Sequence, residues 1–259
     1  MIYKLIKLFT IIFLTTTIIV STSLPIYGAE EHSWYIKRKG HLQPDPPCDF
    51  HAISVYNAHF VNSALTDSSD EKRIYLTFDV GYENGNVERI LNVLKNECVP
   101  AAFFLLDNII LKNTSLVKRM VEDGHLACNH TKNHKNLSNA TEEEIANDLK
   151  ALEDIFYTET GYRMSKFFRF PEGRYSKEAV ETVNKLGYTT VFWSFGYDDW
   201  DNNRQPSKER AMNKILSNTH NGAIILLHPT SKTNADILNA LISEWRKMGY
   251  EFGTLEELI

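Results

Sequence analysis

The 259-residue sequence predicts an α/β fold, an incomplete or distorted (β/α) barrel of about seven strands with an extended N-terminal segment. Three observations carry that prediction. Apolar runs recur at Ile74–Phe78, Ala101–Leu106, Leu126–Cys128, Phe167–Phe170, Thr189–Trp193 and Ala223–Leu227, with a weaker one at Tyr250–Phe252. Runs apolar throughout, rather than alternating, mark strands buried on both faces, as in a parallel sheet. Helical periodicity separates most of them, which supplies the crossovers that parallel strands require. Finally, Asp79, His130, Arg169, Asp199 and His228 each follow a short apolar run. Helical crossovers place the C-terminal ends of parallel strands on one face, so these reactive residues converge on one cleft. About seven strand–helix units fall short of the eight of a full barrel.

The elements follow in order. Lys4 and Lys7, the apolar stretch Leu8–Val20 and the small residues Gly28 and Ala29 resemble a secretory signal over residues 1–29. Its apolar core is short for a spanning helix, which needs about 20 residues, although an uncleaved anchor is the alternative. Either way the rest of the chain is expected to work outside the cytoplasm. Residues 30–72 lack a long helical period and contain Pro44, Pro46 and Pro47, so they read as an extended segment laid against the main domain. The cluster Lys37-Arg38-Lys39 within it reads as a solvated face. From residue 73 onward, Val87, Ile90, Leu91 and Leu94 share one helical face, as do Ile145, Leu149, Leu152 and Phe156. Thr141 followed by Glu144 forms a capping box that starts the second of these helices. Val180, Val183 and Leu186, then Leu238, Leu241, Ile242 and Trp245, signal later helices. Gly124, Gly161, Gly187 and Gly249 fall where left-handed caps are wanted. A doubly wound open sheet is the structural alternative, but Gly81 and Gly85 do not make its dinucleotide fingerprint.

Composition narrows the class. With 43% apolar and 24% charged residues the chain is ordinary globular protein, and a net charge of -5 argues against a nucleic-acid partner. Cys48, Cys98 and Cys128 allow at most one disulfide and contain no Cys-x-x-Cys pair; they read as buried thiols.

Several segments carry chemistry. His130 and His134, four apart, can share a transition metal such as zinc if the backbone between them turns helically. Asp79 at a strand end before Gly81 is a carboxylate that burial makes costly unless paired or used, with a turn-capping Asp as the plain alternative. In Arg169-Phe170-Pro171-Glu172-Gly173-Arg174 the Pro and Gly force an irregular turn whose N–H groups suit an oxyanion. Asp199 beside Trp200 is placed to orient a histidine and raise its pKa, and His228 at a strand end is the histidine available.

Taken together and in this order, these segments resemble the polysaccharide deacetylase family, the NodB-homology carbohydrate esterases, over residues 73–259. The string from Thr77 to Gly85, with the extension from Ser33-Trp34 to residue 72, is similar to the branch that deacetylates muramic acid in peptidoglycan and forms the delta-lactam of endospore cortex. The resemblance implies that Asp79 is the catalytic base, Arg169 its ion-pair partner, His228 the general acid and Asp199 its support. It further implies a divalent metal ion, zinc or similar, at His130 and His134, and substrate contacts from Tyr82, Asn84, Pro171, Glu172, Gly173 and Trp200. Peptidoglycan strands are the implied partner. Two positions depart from the family pattern. Val80 stands where a second aspartate serves as third metal ligand, leaving the two histidines with whatever water, substrate or nearby Asn84 or Asn129 can offer. Glu172 replaces an aromatic or basic residue, and its side chain is expected to point outward. Deacetylation of N-acetylglucosamine polymers is one alternative. A catalytically silent glycan binder is another, opposed by the presence of both acid and base.

Overall fold

The computed structural model describes residues 29–259, so the signal expected over 1–29 lies, but for Ala29, outside the described residues. The elements are, in order, β1 (His32–Ser33), α1 (Phe50–Ser54), β2 (Ala58–His59), β3 (Arg73–Val80), α2 (Val87–Asn96), β4 (Ala102–Leu105), α3 (Asp107–Lys112), α4 (Thr114–Glu122) and β5 (Leu126–Asn129). They continue with α5 (Glu142–Thr160), β6 (Phe167–Phe168), β7 (Arg174–Tyr175), α6 (Lys177–Lys185), β8 (Thr189–Val191), α7 (Lys208–Leu216), β9 (Ile224–Leu227), α8 (Lys232–Lys247) and β10 (Glu251–Phe252).

All seven anticipated strands form, and they pair in parallel in the order β10-β3-β4-β5-β6-β8, with β9 also on β3. The sheet curls until Phe195, just past β8, bridges to Ile225 of β9, so a single parallel bridge completes the ring. This is the distorted barrel that the sequence predicts. An eighth parallel strand, β2, comes from the N-terminal segment and pairs with β8.

Alternation along each strand then assigns the layers. Tyr75, Ala102, Phe104, Cys128, Phe167, Val191 and Ile224 make the apolar interior of the ring. Their neighbours Ile74, Leu76, Phe78, Val80, Phe103, Leu105, Ile225 and Leu227 meet α2, α4 and α8 through Ile90, Leu94, Met120, Leu238, Leu241 and Trp245. On the other side Phe168, Phe170 and Phe192 lie with Trp34, Phe60 and the Val180–Val183 face of α6. Both faces of each strand are therefore apolar, which is why the runs do not alternate.

Local signals act as read. Thr141 and Glu144 form the capping box of α5, and Gly161 closes that helix in the left-handed conformation at φ 80. Gly124, Gly187 and Gly249 likewise have positive φ. Two expectations need correction. Helices α3 and α7 lie where no helix was anticipated, whereas α4 is the helical segment that ends just before Gly124. Of the three cysteines, only Cys128 is buried, while Cys48 and Cys98 are exposed and all are free thiols. Cys98 sits in the turn after α2 at φ 52 and Cys48 in the proline-rich segment, so neither faces a core.

Candidate active site

The alternation that fills the ring also builds the site. Continuing the inward set by one step from Thr77 gives Asp79, from Cys128 gives His130, from Phe167 gives Arg169, from Val191 gives Trp193 and from Leu226 gives His228. Each strand thus presents its last inward side chain at the same end. Above them opens a cavity of about 620 Å³ lined by Asp79, Tyr82, His130, His134, Glu172, Trp200 and His228 among the anticipated residues, with Leu106, Trp193 and Leu226 as apolar wall.

Arg169 is fully buried beneath this cavity. Its Nη1 donates to Asp79 Oδ1 at 2.8 Å, Nη2 to Thr77 Oγ1 at 2.9 Å and Nε to the Val191 carbonyl at 2.9 Å, while the guanidinium lies 4.1 Å from the Phe104 ring centre. A charge so deep is tolerable only because its donors are used. Burial alone pushes the Asp79 carboxyl up; the charge of Arg169 foremost outweighs burial and holds it below the usual carboxylate range.

His130 Nδ1 lies 2.8 Å from the Arg169 carbonyl oxygen, an acceptor, which assigns the proton to Nδ1 and leaves the Nε2 lone pair facing the cavity 3.5 Å from Asp79 Oδ2. Burial pushes this imidazole down to about 4 despite the Asp79 charge, so it is neutral at neutral pH. The backbone to His134 is not helical: Thr131 and His134 adopt φ of 68 and 62. Two left-handed residues nonetheless return the second ring to within 5.1 Å of the first, centroid to centroid.

Opposite stands the second charged pair. Asp199 is fully buried and accepts from His228 Nδ1 at 2.7 Å, from the His228 backbone N–H at 2.8 Å and from Asn234 Nδ2 at 2.6 Å. The Tyr197 hydroxyl donates to Asn234 Oδ1, which turns that amide nitrogen toward Asp199. Burial works against a charged His228 ring, but Asp199, with Asp79 behind it, raises its pKa above the usual imidazole value. With Nδ1 engaged, Nε2 faces the cavity.

The remaining anticipated residues divide. Tyr82 lines the cavity and its hydroxyl accepts from Asn202, tying two rim loops together. Trp200 is 57% exposed, 6.3 Å from the His228 ring. Pro171 and Gly173 lie outside the lining and act through the turn they form. That turn consumes the N–H groups of Gly173 and Arg174, leaving Glu172 N–H as its candidate oxyanion donor. Glu172 has φ 57, and its side chain points outward, 63% exposed, with Oε2 3.8 Å from Arg174 Nη1. Asn84 stands outside the lining, donating to the Thr230 carbonyl at 2.9 Å. Asn129 also faces away from the cavity, donating to the Leu149 carbonyl and the Tyr188 hydroxyl.

Neither asparagine therefore supplies a third metal ligand. Val80 is 2% exposed, packs into the apolar layer outside the ring and also borders the cavity, where its side chain offers no metal donor. Among the described residues no group of three His, Cys, Asp or Glu side chains is arranged to hold an ion. The donor set does not fit a closed three-ligand site.

Thr77, Trp193, Asn234 and Tyr197 were not anticipated. Strand parity marks the first two, since Thr77 lies two residues before Asp79 and Trp193 two after Val191. Nothing local marks Asn234, in the first turn of α8 behind the Ser231 cap.

Known proteins resemble this chain over most of its length. A polysaccharide deacetylase family profile matches residues 66–191. Over 232 residues the chain is 35% identical to the peptidoglycan-N-acetylmuramic acid deacetylase PdaA of Bacillus subtilis, covering 89% of this chain and 86% of that one. Over 187 residues it is 32% identical to the peptidoglycan-N-acetylglucosamine deacetylase PgdA of Listeria monocytogenes, covering 72% of this chain and 39% of that one. The solved structure of Bacillus subtilis PdaA, a family 4 carbohydrate esterase, matches with a TM-score of 0.82 at 35% identity, covering 88% of this chain and 97% of that one. The chain belongs to the polysaccharide deacetylase family, carbohydrate esterases that hydrolyse N-acetyl amide bonds.

Proposed function

We propose that this protein removes the N-acetyl group from muramic acid residues of peptidoglycan, releasing acetate and freeing an amine that closes the muramic delta-lactam of spore cortex. The observation that carries the chemistry is a pair of titratable groups on one cavity with pKa values pushed apart, Asp79 down and His228 up. Such a pair divides the work of base and acid. Asp79, ionised beside Arg169, takes a proton from water, and the resulting hydroxide attacks the acetyl carbonyl. Glu172 N–H, which the turn leaves free for a ligand, suits the oxyanion, and Trp200, Trp193 and Leu226 give the acetyl methyl an apolar wall. His228, protonated through Asp199, passes its Nε2 proton to the leaving nitrogen as the C–N bond breaks. Each step uses this chain's own residues; the divalent ion, zinc or similar, anticipated at His130 and His134 finds two imidazoles and, among the described residues, no third protein ligand.

Muramic acid is favoured over glucosamine because similarity to the PdaA relative runs through the N-terminal segment, covering 89% of the chain against 72% for the glucosamine-directed relative. Peptidoglycan lies outside the cytoplasmic membrane, in keeping with the signal proposed over residues 1–29. Among the described residues no helix is long and apolar enough to cross a membrane. Incubation with peptide-stripped peptidoglycan, followed by muropeptide mass analysis, tests the proposal. Loss of acetyl groups from muramic residues is expected. Deacetylated glucosamine instead would move the substrate to the alternative, and binding without released acetate would leave a silent glycan binder.

A further inference from the structure

Glu31 precedes the barrel in sequence, yet its carboxylate is surrounded by donors from two loops of the active site. Oε1 accepts from Nε and Nη2 of Arg174 at 3.0 and 2.6 Å. Oε2 accepts from Asn136 Nδ2 at 2.8 Å and from the Ser138 hydroxyl. Hydrogen bonds from Ser138, Asn136 and Arg174, in that order, hold its carboxyl at about 2. Asn136 and Ser138 belong to the loop that carries His134, and Arg174 directly follows the Pro171–Gly173 turn.

The strap beyond Glu31 reinforces the turn. Ser33 pairs with Arg174, the Trp34 N–H donates to the Gly173 carbonyl at 2.8 Å, and the Trp34 indole donates to the Trp193 carbonyl at 2.9 Å. Both loops need such support. Outside regular strands and α-helices, each holds a residue in the left-handed region, His134 at φ 62 and Glu172 at φ 57, a conformation that persists only where surroundings enforce it. An isolated surface ion pair does little. Here several donors from two loops share one carboxylate, so its effect is to fix their separation.

We propose that Glu31 is a positioning residue for deacetylation, its carboxylate tying the His134 loop to the Pro171–Gly173 turn and so setting the His134 ring against the Glu172 N–H. This role rests on the deacetylase reading above. Glu31 touches neither substrate nor reacting atoms; it acts through Asn136, Ser138 and Arg174.

The test compares wild type with Glu31→Ala and Glu31→Gln in acetate release from peptide-stripped peptidoglycan, alongside thermal melts. Glu31→Ala is expected to lose roughly ten- to a hundredfold in kcat, the scale on which small misplacements act, with a smaller change in KM. Sodium formate, which fits the vacated carboxylate position, restores the rate of Glu31→Ala saturably and leaves wild type unchanged. Glu31→Gln keeps the shape but turns an amide toward a donor, so it retains the fold with an intermediate loss. Wild-type kcat in both folded variants overturns the inference and leaves the deacetylase reading standing. So does a loss that merely follows unfolding and is not rescued by formate. Wild-type protein that releases no acetate from any glycan overturns the deacetylase reading, and this role with it.

Discussion

Asp199→Asn isolates the acid half of the proposed mechanism. The Asp199 carboxylate is fully buried, and its three partners, His228 Nδ1 at 2.7 Å, His228 N at 2.8 Å and Asn234 Nδ2 at 2.6 Å, all donate. Asparagine offers one accepting oxygen and two amide hydrogens. If the oxygen faces the two N–H groups, the amide meets His228 Nδ1 and forces the proton off that nitrogen. The protonated ring then loses a charge-assisted hydrogen bond worth about 1.5–3 kcal/mol. At 1.36 kcal/mol per factor of ten, that disfavours the imidazolium roughly tenfold to 150-fold. At neutral pH kcat should fall by about that factor, and the basic limb of the pH profile should move to lower pH. Acetate release measured across pH, with melts to confirm folding, reads both quantities. A basic limb that stays at its wild-type position with kcat intact would refute His228 as the acid and Asp199 as its support.

Three further outcomes follow from the same geometry. Asp79 works ionised, so activity persists above its depressed pKa and is lost as pH falls through it; His228 works protonated, so activity is lost as pH rises through its raised pKa. The profile of kcat/KM should be a broad plateau spanning neutrality, and Asp79→Asn should abolish turnover in a chain that still folds, with a lowered melt because buried Arg169 loses its counter-charge; a basic limb below the ordinary imidazole range would contradict this assignment. Val80→Asp places a carboxylate at a site 2% exposed in an apolar layer, a cost on the order of 3 kcal/mol, or roughly 6–12 °C of melting temperature. Zinc should recover part of that loss by recruiting His130 and His134, and a melt indifferent to zinc would show that these three positions do not form a site. Gly173→Ala puts a Cβ 2.7 Å from that of Trp34 and 2.9 Å from the Trp193 ring at φ +66, so it should destabilise by about 1–3 kcal/mol and lower kcat, readable by melt and acetate assay.

Legibility in the sequence followed physical contrast. Asp79, His130, Arg169 and His228 stand out because a strand apolar on both faces makes a terminal polar side chain conspicuous. Helix α3 escaped because the chain breaks at Asn113, leaving a piece of 6 residues too short to show a helical period. Helix α7 is 9 residues long and fully buries only Ala211 and Ile215, so its apolar face is a short one among charged residues. Strand β2 is two residues long and is defined by a partner in β8, which no local pattern announces. The hydrogen bonds of Asn234 and Glu31 are likewise non-local in origin: an asparagine at a helix start and a glutamate near the N-terminus each have plain surface readings.

The order in which the ring closes bears on how the chain matures. Residues 32–33 pair with 174–175, Ala58 and His59 with Thr190 and Val191, and Val61 with Ala223. The strand pairings of this segment can form only when most of the polypeptide has been synthesised. Contacts so distant in sequence slow folding, because loop closure must precede their reward. In a chain exported as proposed, the pairings of this leading segment with β7, β8 and Ala223 can form only after those parts of the chain have reached the far side.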